Sequence, residues 1–481
     1  MRRRSIRRLT HPRLAALAVL FALILPLLPL PANATAQHAS RAAEPAREVQ
    51  VLVVGGTPAG IAAAIAAARQ GLRVTLVCDR PYLGGVLTGA MMDQWDLNKA
   101  LDGARIEGGI FGEIYQQLGE AFDPQTAEAA FLHIVSSYPE ITVRLDTAAL
   151  SADVIGNPLD RRVTEVRFGD QHSGAVFALR APVVIDATDR GDLAALAGAR
   201  YDVGRQDTGL DTKMQAATLM FAVDGVDWHT AVRSYDEERY GAGGATEKKV
   251  WGYTRLMRAY DPLSPRVIVR DLNLGREPSG RVTVNAVDVV GVDGRDPVSV
   301  SEGEAIARAE ILHLMPFLRE RVPGFAHARL GAFADELYIR ETRHVLGLTM
   351  LTADDIWHGR VPYDTIGLAS YPLDIHPTYI GEPPAYAPVR HVYGVPFRAM
   401  VPYGFDNLLV AGPAISATHV AAGSARIIPT TIEEGEAAGI AAALALHQGV
   451  DFSKIALRIG LMRRLRVALV RAGAVIDVAR R

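Results

Sequence analysis

The sequence predicts an α/β fold: a parallel sheet flanked by an antiparallel meander, with a mixed α+β domain inserted before the sheet is completed. Three observations carry this. An apolar strand, a glycine turn and an alanine-rich helix run together at Val51–Ala64. A second apolar strand and turn follow at Val183–Asp192. A third apolar–glycine unit, Asn407–Gly412, comes late and leads to a helix of small residues, Thr431–His447.

Val51-Leu52-Val53-Val54 reads as a strand buried on both faces. Gly55 and Gly56 permit a sharp turn. Thr57 suits an N-cap with Pro58 at the first helical position. Ala59 and Gly60 open a helix whose unpaired N–H groups and dipole favour an anion above the turn. Gly60, Ala63, Ala64 and Ala67 let that helix lie close on the sheet. Gly71 ends it, and Arg73–Val77 reads as the next strand. This is the build of a dinucleotide pyrophosphate pocket, with two departures from G-x-G-x-x-G and its following acid. Thr57 stands at the middle glycine, where its hydroxyl can add to the anion site. Cys78 stands at the acid, which leaves Asp79 or a backbone group to meet the ribose.

Gly108–Leu118 and Ala127–Ser137 read as helices. Thr142–Leu145, Val163–Phe168 and Ala175–Leu179 read as the antiparallel meander. Residues 206–394 are richer in aromatics, prolines and charges. There Asp236–Lys249 reads as an exposed loop, Val267–Val269 and Val282–Val284 as strands, and Gly303–Arg321 as a helix. The resulting division is a cofactor domain from 48–205 and 395–450, an inserted substrate domain at 206–394, and a helical tail at 451–481.

The chain has 481 residues, 49% hydrophobic, which suits two or three domains. Its net charge of −2 and the lack of basic patches interleaved with aromatics exclude a nucleic-acid binder. The first 36 residues hold six arginines and no acid, then the short apolar run Leu14–Leu25 broken by Pro26, Pro29 and Pro31. That pattern reads as a cleaved export signal, with an uncleaved anchor as the competing reading. Residues 37–47 read as a flexible leader. The one cysteine, Cys78, excludes an internal disulfide and is read as a packing residue. Clustered Cys/His ligands, H-E-x-x-H and G-x-S-x-G are absent from the sequence, which argues against metal and serine-hydrolase chemistry.

From about residue 48 to 447 the chain resembles the FAD-dependent oxidoreductases, two-dinucleotide-fold flavoproteins of the glutathione reductase and fumarate reductase flavoprotein kind, in an exported bacterial branch. The resemblance rests on Gly55–Gly60, Leu83–Gly89, Ile185–Asp192, Tyr338–Gly347, and a closing stretch through Ser416–His419, Gly423–Arg426 and Gly435–Gly439. It implies an FAD/NAD(P)-binding Rossmann-like domain and FAD held without a covalent bond. It implies cofactor contacts at Gly55, Gly56, Thr57, Pro58, Ala59 and Gly60, at Gly84, Gly85 and Thr88, at Ala187, Thr188, Gly191 and Asp192, and at Gly412, Thr430 and Thr431; Asp79 joins them from the reading of the strand end, where Cys78 departs from the family's acid. Pro413 departs from the charged residue common at its position.

The implied reaction is hydride transfer between a small organic substrate and flavin N5. The N-terminus of the last helix suits the flavin N1 side, where charge develops on reduction. His419 is a hydrogen-bonding or proton-transfer candidate, or a structural histidine. Arg426 is a partner for a substrate carboxylate or the reduced flavin, or a surface ion pair. Arg343 belongs to Arg340–His344, where a buried Glu341 between two arginines would orient substrate or clamp the domains. Tyr371 and His376 are acid–base candidates. Only one complete glycine turn exists, so reoxidation would fall to oxygen, a quinone or a redox protein. Three alternatives stay open: a nicotinamide-dependent dehydrogenase, a flavin monooxygenase, and a non-catalytic flavin- or ligand-binding envelope protein.

Overall fold

The computed structural model describes residues 46–477. The predicted export signal, and all but the end of the leader, lie outside the described residues.

The chain opens with β1 (Val51–Val54), α1 (Pro58–Arg69) and β2 (Val74–Val77). Then come α2 (Gly109–Leu118) and α3 (Pro124–Ser136), close to their predicted spans. Five strands follow: β3 (Ile141–Arg144), β4 (Thr147–Ile155), β5 (Arg162–Asp170), β6 (Val176–Arg180) and β7 (Val183–Asp186). The meander differs from expectation. β3 joins β2 in parallel, Val74 opposite Ile141, after a crossover through α2 and α3. β4 replaces it as the first strand of the meander β4–β5–β6. Asp146, at φ 48°, breaks the chain between β3 and β4. β4 is rich in alanine and serine, so its β signal is weak.

The inserted region forms a six-stranded antiparallel sheet from β8 (Phe221–Asp224), β9 (Gly244–Ala245), β10 (Lys249–Gly252), β11 (Leu272–Arg276), β12 (Val282–Asn285) and β13 (Arg329–Phe333). Its order is β9–β10–β11–β12–β8–β13. The predicted loop at 236–249 instead holds a helical turn, Glu237–Tyr240, capped by the Asp236 carboxylate, and the β9–β10 hairpin. The long helix α4 (Pro297–Arg321) covers this sheet with Ala307, Ile311, Leu314 and Leu318. It starts ahead of the predicted Gly303, because Asp296 caps it and Pro297 fills its first position.

The chain then returns with β14 (Leu408–Val410), α5 (His419–Ala425), α6 (Ile428–Gln448) and α7 (Ile459–Arg471). The parallel sheet reads β14–β7–β1–β2–β3. One apolar core surrounds it and takes in Val345–Tyr393 as well, while the second core runs from Ala217 to Leu337. α1 and α6 lie so close that a Cβ at Gly435 would sit 2.0 Å from the Ala59 carbonyl, and one at Gly439 2.4 Å from that of Ala63. The two helices thereby run parallel, with the first turn of α1 against the third turn of α6.

Candidate active site

The turn after β1 is shaped by contacts no other residue could make. Gly55 has φ 117°, and a Cβ there would lie 2.0 Å from the Ala187 carbonyl oxygen. A Cβ at Gly60 would lie 1.9 Å from the Gly55 carbonyl oxygen. At Gly56 the neighbour is Cys78 Sγ, 2.4 Å away, so Cys78 packs beneath the turn and its buried thiol is pushed up to about 11. The Thr57 hydroxyl differs from expectation: it donates to Ala187 O (2.9 Å) and accepts from Gly60 N (3.3 Å). It caps α1 and ties it to β7. Among the described residues, the N–H groups of Thr57 and Ala59 find no acceptor.

Three adjoining cavities follow this turn. A cavity of about 700 Å³ is lined by Gly55, Asp79, Arg80, Thr188, Arg190, Asp192 and Arg343, and reaches Gly294–Ser301 at the start of α4. It shares Gly55, Asp79, Thr188 and Arg190 with a second cavity of about 70 Å³ over Gly56, Thr57 and Gly85. That one shares Val86, Asp189 and Ile339 with a third, of about 20 Å³, walled by Pro58, Tyr338, Arg340, Pro413, Arg426 and Thr431. The string thus runs from the predicted ribose contact, past the glycine turn, to the first turn of α6. A separate cleft at Arg69 and Glu113 contains none of the predicted site residues.

The loop residues serve this string as scaffold. Gly84 and Gly85 take φ 107° and 51°, and Thr88 locks their turn by donating to the Leu83 and Gly85 carbonyls. Thr188 donates to Asp186 Oδ1 and accepts from Asp192 N. Gly191, at φ 64°, precedes the short helix that starts at Asp192. Gly412, at φ 102°, donates its N–H to Glu434 Oε2 (2.7 Å). Thr430 accepts from Asn98 Nδ2 (3.1 Å) and Thr431 donates to Ile428 O.

Three of the predicted catalytic residues come together at the narrow end. Arg426 is buried, donating to Tyr338 Oη (2.6 Å) and Asp374 Oδ2 (3.2 Å). His376 Nδ1 lies 2.8 Å from Asp288 Oδ2, and its Nε2 3.6 Å from Asp374 Oδ2. Tyr371 stands between Asp96, Asp374 and Arg426, and burial pushes its phenol well above the ordinary range. Burial also pushes Asp374 up, but His376 and Arg426 outweigh it and hold that carboxylate down. Arg340 lies 3.6 Å from Asp288 Oδ1, with its guanidinium over the Tyr338 ring.

The other two lie elsewhere. Arg343 reaches Asp192 Oδ1 (2.7 Å) and Arg190 O (3.0 Å), on the wide cavity. His419 Nδ1 meets Glu341 Oε1 at 2.7 Å, and His344 Nε2 meets the same oxygen at 2.9 Å. Glu341 therefore lies between two histidines, not two arginines. Burial pushes its carboxyl up, but the two histidines prevail and hold it down at about 2. Burial works against a proton on His419, yet Glu341 leaves it raised.

The sequence matches the FAD dependent oxidoreductase family over residues 50–469. The chain belongs to that family. This FAD-dependent oxidoreductase is therefore an enzyme that uses FAD, which answers the nicotinamide alternative. No curated protein matches it. Among solved structures it is similar to a geranylgeranyl bacteriochlorophyll reductase-like protein of Thermoplasma acidophilum, at 13% identity over 89% of this chain and 88% of that one, TM-score 0.45. It is also similar to the p-nitrophenol 4-monooxygenase PnpA of Pseudomonas putida, at 11% identity over 89% and 98%, TM-score 0.42. A third is the flavin-dependent brominase Bmp2, at 11% identity over 90% and 95%, TM-score 0.43.

The residues of this oxidoreductase fit an FAD. The free N–H groups of Thr57 and Ala59 at the start of α1 suit a pyrophosphate. Asp79 faces the wide cavity under Arg80 and Arg190. The narrow end, of about 20 Å³, is closed by side chains, among them Val86, Tyr338 and Ile339. Sequence reasoning missed Asn98, Asp96 and Asp288. Asn98 is buried and also accepts the N–H groups of Ser370 and Tyr371, which ties α6 to the Arg426–Tyr371–His376 cluster. It missed Glu433 and Glu434 too, two consecutive acids in an apolar helix. Both are buried, and burial drives both carboxyls far above their ordinary range. That doublet was the available signal.

Proposed function

We propose that this oxidoreductase exchanges a hydride between a small organic substrate and the flavin of its bound FAD, with the substrate held in the Tyr338–Arg426–Asp374 cluster. The observation that carries the reading is the continuity of the three cavities from Asp79 to Arg426. FAD, when bound, supplies a two-electron acceptor at the ring N5. The chain's own groups do the rest. Arg426 and Arg340, fixed by Asp374 and Asp288, orient the substrate by charge-assisted hydrogen bonds. Tyr371 keeps its proton at neutral pH, so its Oη is a donor to a substrate oxygen. His376, held between the Asp288 and Asp374 carboxylates, is the second acid–base group beside the substrate.

Glu341 positions His419 and has no place in the proton path. Asp79 takes the ribose contact, since Cys78 is turned under Gly56. Residues 1–36 direct export, and the acceptor that reoxidises the flavin is oxygen, a quinone or a redox protein. No helix among the described residues is long and apolar enough to cross a membrane. The test is anaerobic: the yellow protein is mixed with alcohols, amines, hydroxy acids and polyols, and bleaching of the flavin bands is followed. Bleaching by one class supports the reading. A protein bleached by none, yet consuming oxygen with an external reductant and an aromatic substrate, points to a monooxygenase and overturns it.

A further inference from the structure

We propose that the exposed face of α7 is a docking surface for membranes rich in anionic phospholipid. Residues 457–481 hold seven arginines and a single acid, Asp477, in a chain of net charge −2. α7 buries Met462, Leu465 and Leu469 against the core. Its opposite face presents Arg463, Arg464, Val467 and Arg471, all exposed, with no acid on the helix. The side chains of Arg458, Arg463 and Arg471 bond to no described residue, and Arg464 gives one side-chain N–H to Gln448. These are cations with no counter-charge of their own.

Apolar groups stand among them. Ile459 is 76% exposed and Leu457 60%, at the start of the helix. Tyr363, also exposed, is fixed beside them by donating to Ala456 O and by accepting Arg466 at its carbonyl. With its own apolar face on the core, α7 offers a bilayer a plane of arginines with protruding aliphatic side chains at one end, which suits an anionic headgroup layer. The arginines meet the phosphates, and Leu457 and Ile459 enter the acyl boundary. A nucleic acid would answer the charge but leave those two side chains in water. This inference is independent of the reaction proposed above.

The test uses the chain from residue 37 onward, which contains every element described and both cores and lacks the apolar N-terminal run. It is sedimented with vesicles of phosphatidylglycerol and phosphatidylcholine, and with vesicles of phosphatidylcholine alone. Binding to the first and not the second, weakening as salt rises, is expected. R463E/R464E should lower that binding by about tenfold or more, and Ile459→Ser by less, with FAD content and melting temperature unchanged. Where R463E/R464E loses FAD, R463Q/R464Q takes its place. Equal binding to both vesicles, equal binding by the variants, or capture by duplex DNA with none by vesicles, would each overturn the proposal.

Discussion

Glu341→Gln is the perturbation whose cost can be worked most fully. Three donors converge on this buried carboxylate: His344 Nε2 at 2.9 Å, His419 Nδ1 at 2.7 Å and Gln215 N at 3.1 Å. Glutamine keeps one acceptor oxygen and replaces the other with an NH₂ group. If the oxygen stays with the histidines, the NH₂ group faces the Gln215 N–H, donor against donor. One N–H then goes unpaired, at about 1–3 kcal/mol. The two remaining contacts lose their charge-assisted part, which brings the total to roughly 3 kcal/mol. The pH dependence has a definite sign. Glu341, held down at about 2 from 4.5, stabilises the fold above pH 4.5 and stops doing so as pH falls toward 2. His419, raised from 6.5, stabilises below pH 6.5 and loses this as pH climbs through its folded value. The gap between wild type and variant should therefore be widest between pH 4.5 and 6.5 and narrower at pH 9. Urea unfolding of both proteins at four pH values measures it. A gap under about 0.5 kcal/mol, or one that does not change with pH, refutes the reasoning.

Other expected outcomes are more direct. Asp189, pushed by burial to about 7, costs the folded state more as pH rises from 4 to 7. Asp189→Asn should thus stabilise protein stripped of FAD, by roughly 2 kcal/mol at pH 8 after allowing for partial exposure and by less at pH 5, read by thermal melts. Asn also tolerates the φ of 60° at this position. Tyr371→Phe should slow flavin reduction by about a hundredfold with FAD content unchanged, by stopped-flow absorbance; an unaltered rate removes Tyr371 from the proton path. Gly55→Asp should abolish FAD retention, since any side chain there strikes Ala187 and the carboxylate repels phosphate; a folded variant with its full yellow colour would contradict this. His419→Ala should lower stability through Glu341 while leaving the pH profile of flavin reduction unmoved, and a shifted profile would make His419 a proton carrier.

How much of this was legible depended on the kind of signal. The β1–α1–β2 unit was written as apolar runs and small residues, which local patterning reveals, but the small residues of α1 were read against the sheet, and their approach to α6 came only with the fold. β3 was found as a strand but placed in the wrong sheet, because nothing in Ile141–Arg144 distinguishes a parallel partner from an antiparallel one. β4 was hidden by its alanines. The candidate cluster was half legible. Arg426, Tyr371, His376 and the stretch holding Asp374 stood out, whereas Asp96 and Asp288 carried no signal until the fold gathered them from distant segments. Arg343 and Arg340, three residues apart, face different sites, a separation no charge pattern could show.

The threonines make the point about the cofactor side. Thr57, Thr88, Thr188, Thr430 and Thr431 all sit where a hydroxyl contact to FAD is natural to expect. Four of these hydroxyls instead donate within the protein, Thr57 to Ala187 O, Thr88 to Leu83 O, Thr188 to Asp186 and Thr431 to Ile428 O, while Thr430 accepts from Asn98. A sequence shows that a hydroxyl is present but not whether it is already committed. The four that donate hold the turns in shape, and the backbone N–H groups of Thr57 and Ala59 are left without an acceptor at the start of α1. Donors fixed by the main chain cannot rotate away, and they need no side-chain ordering when an anion arrives. A turn can therefore lose the middle glycine of its motif and still serve a pyrophosphate, provided the replacing hydroxyl is turned inward, as it is at Thr57.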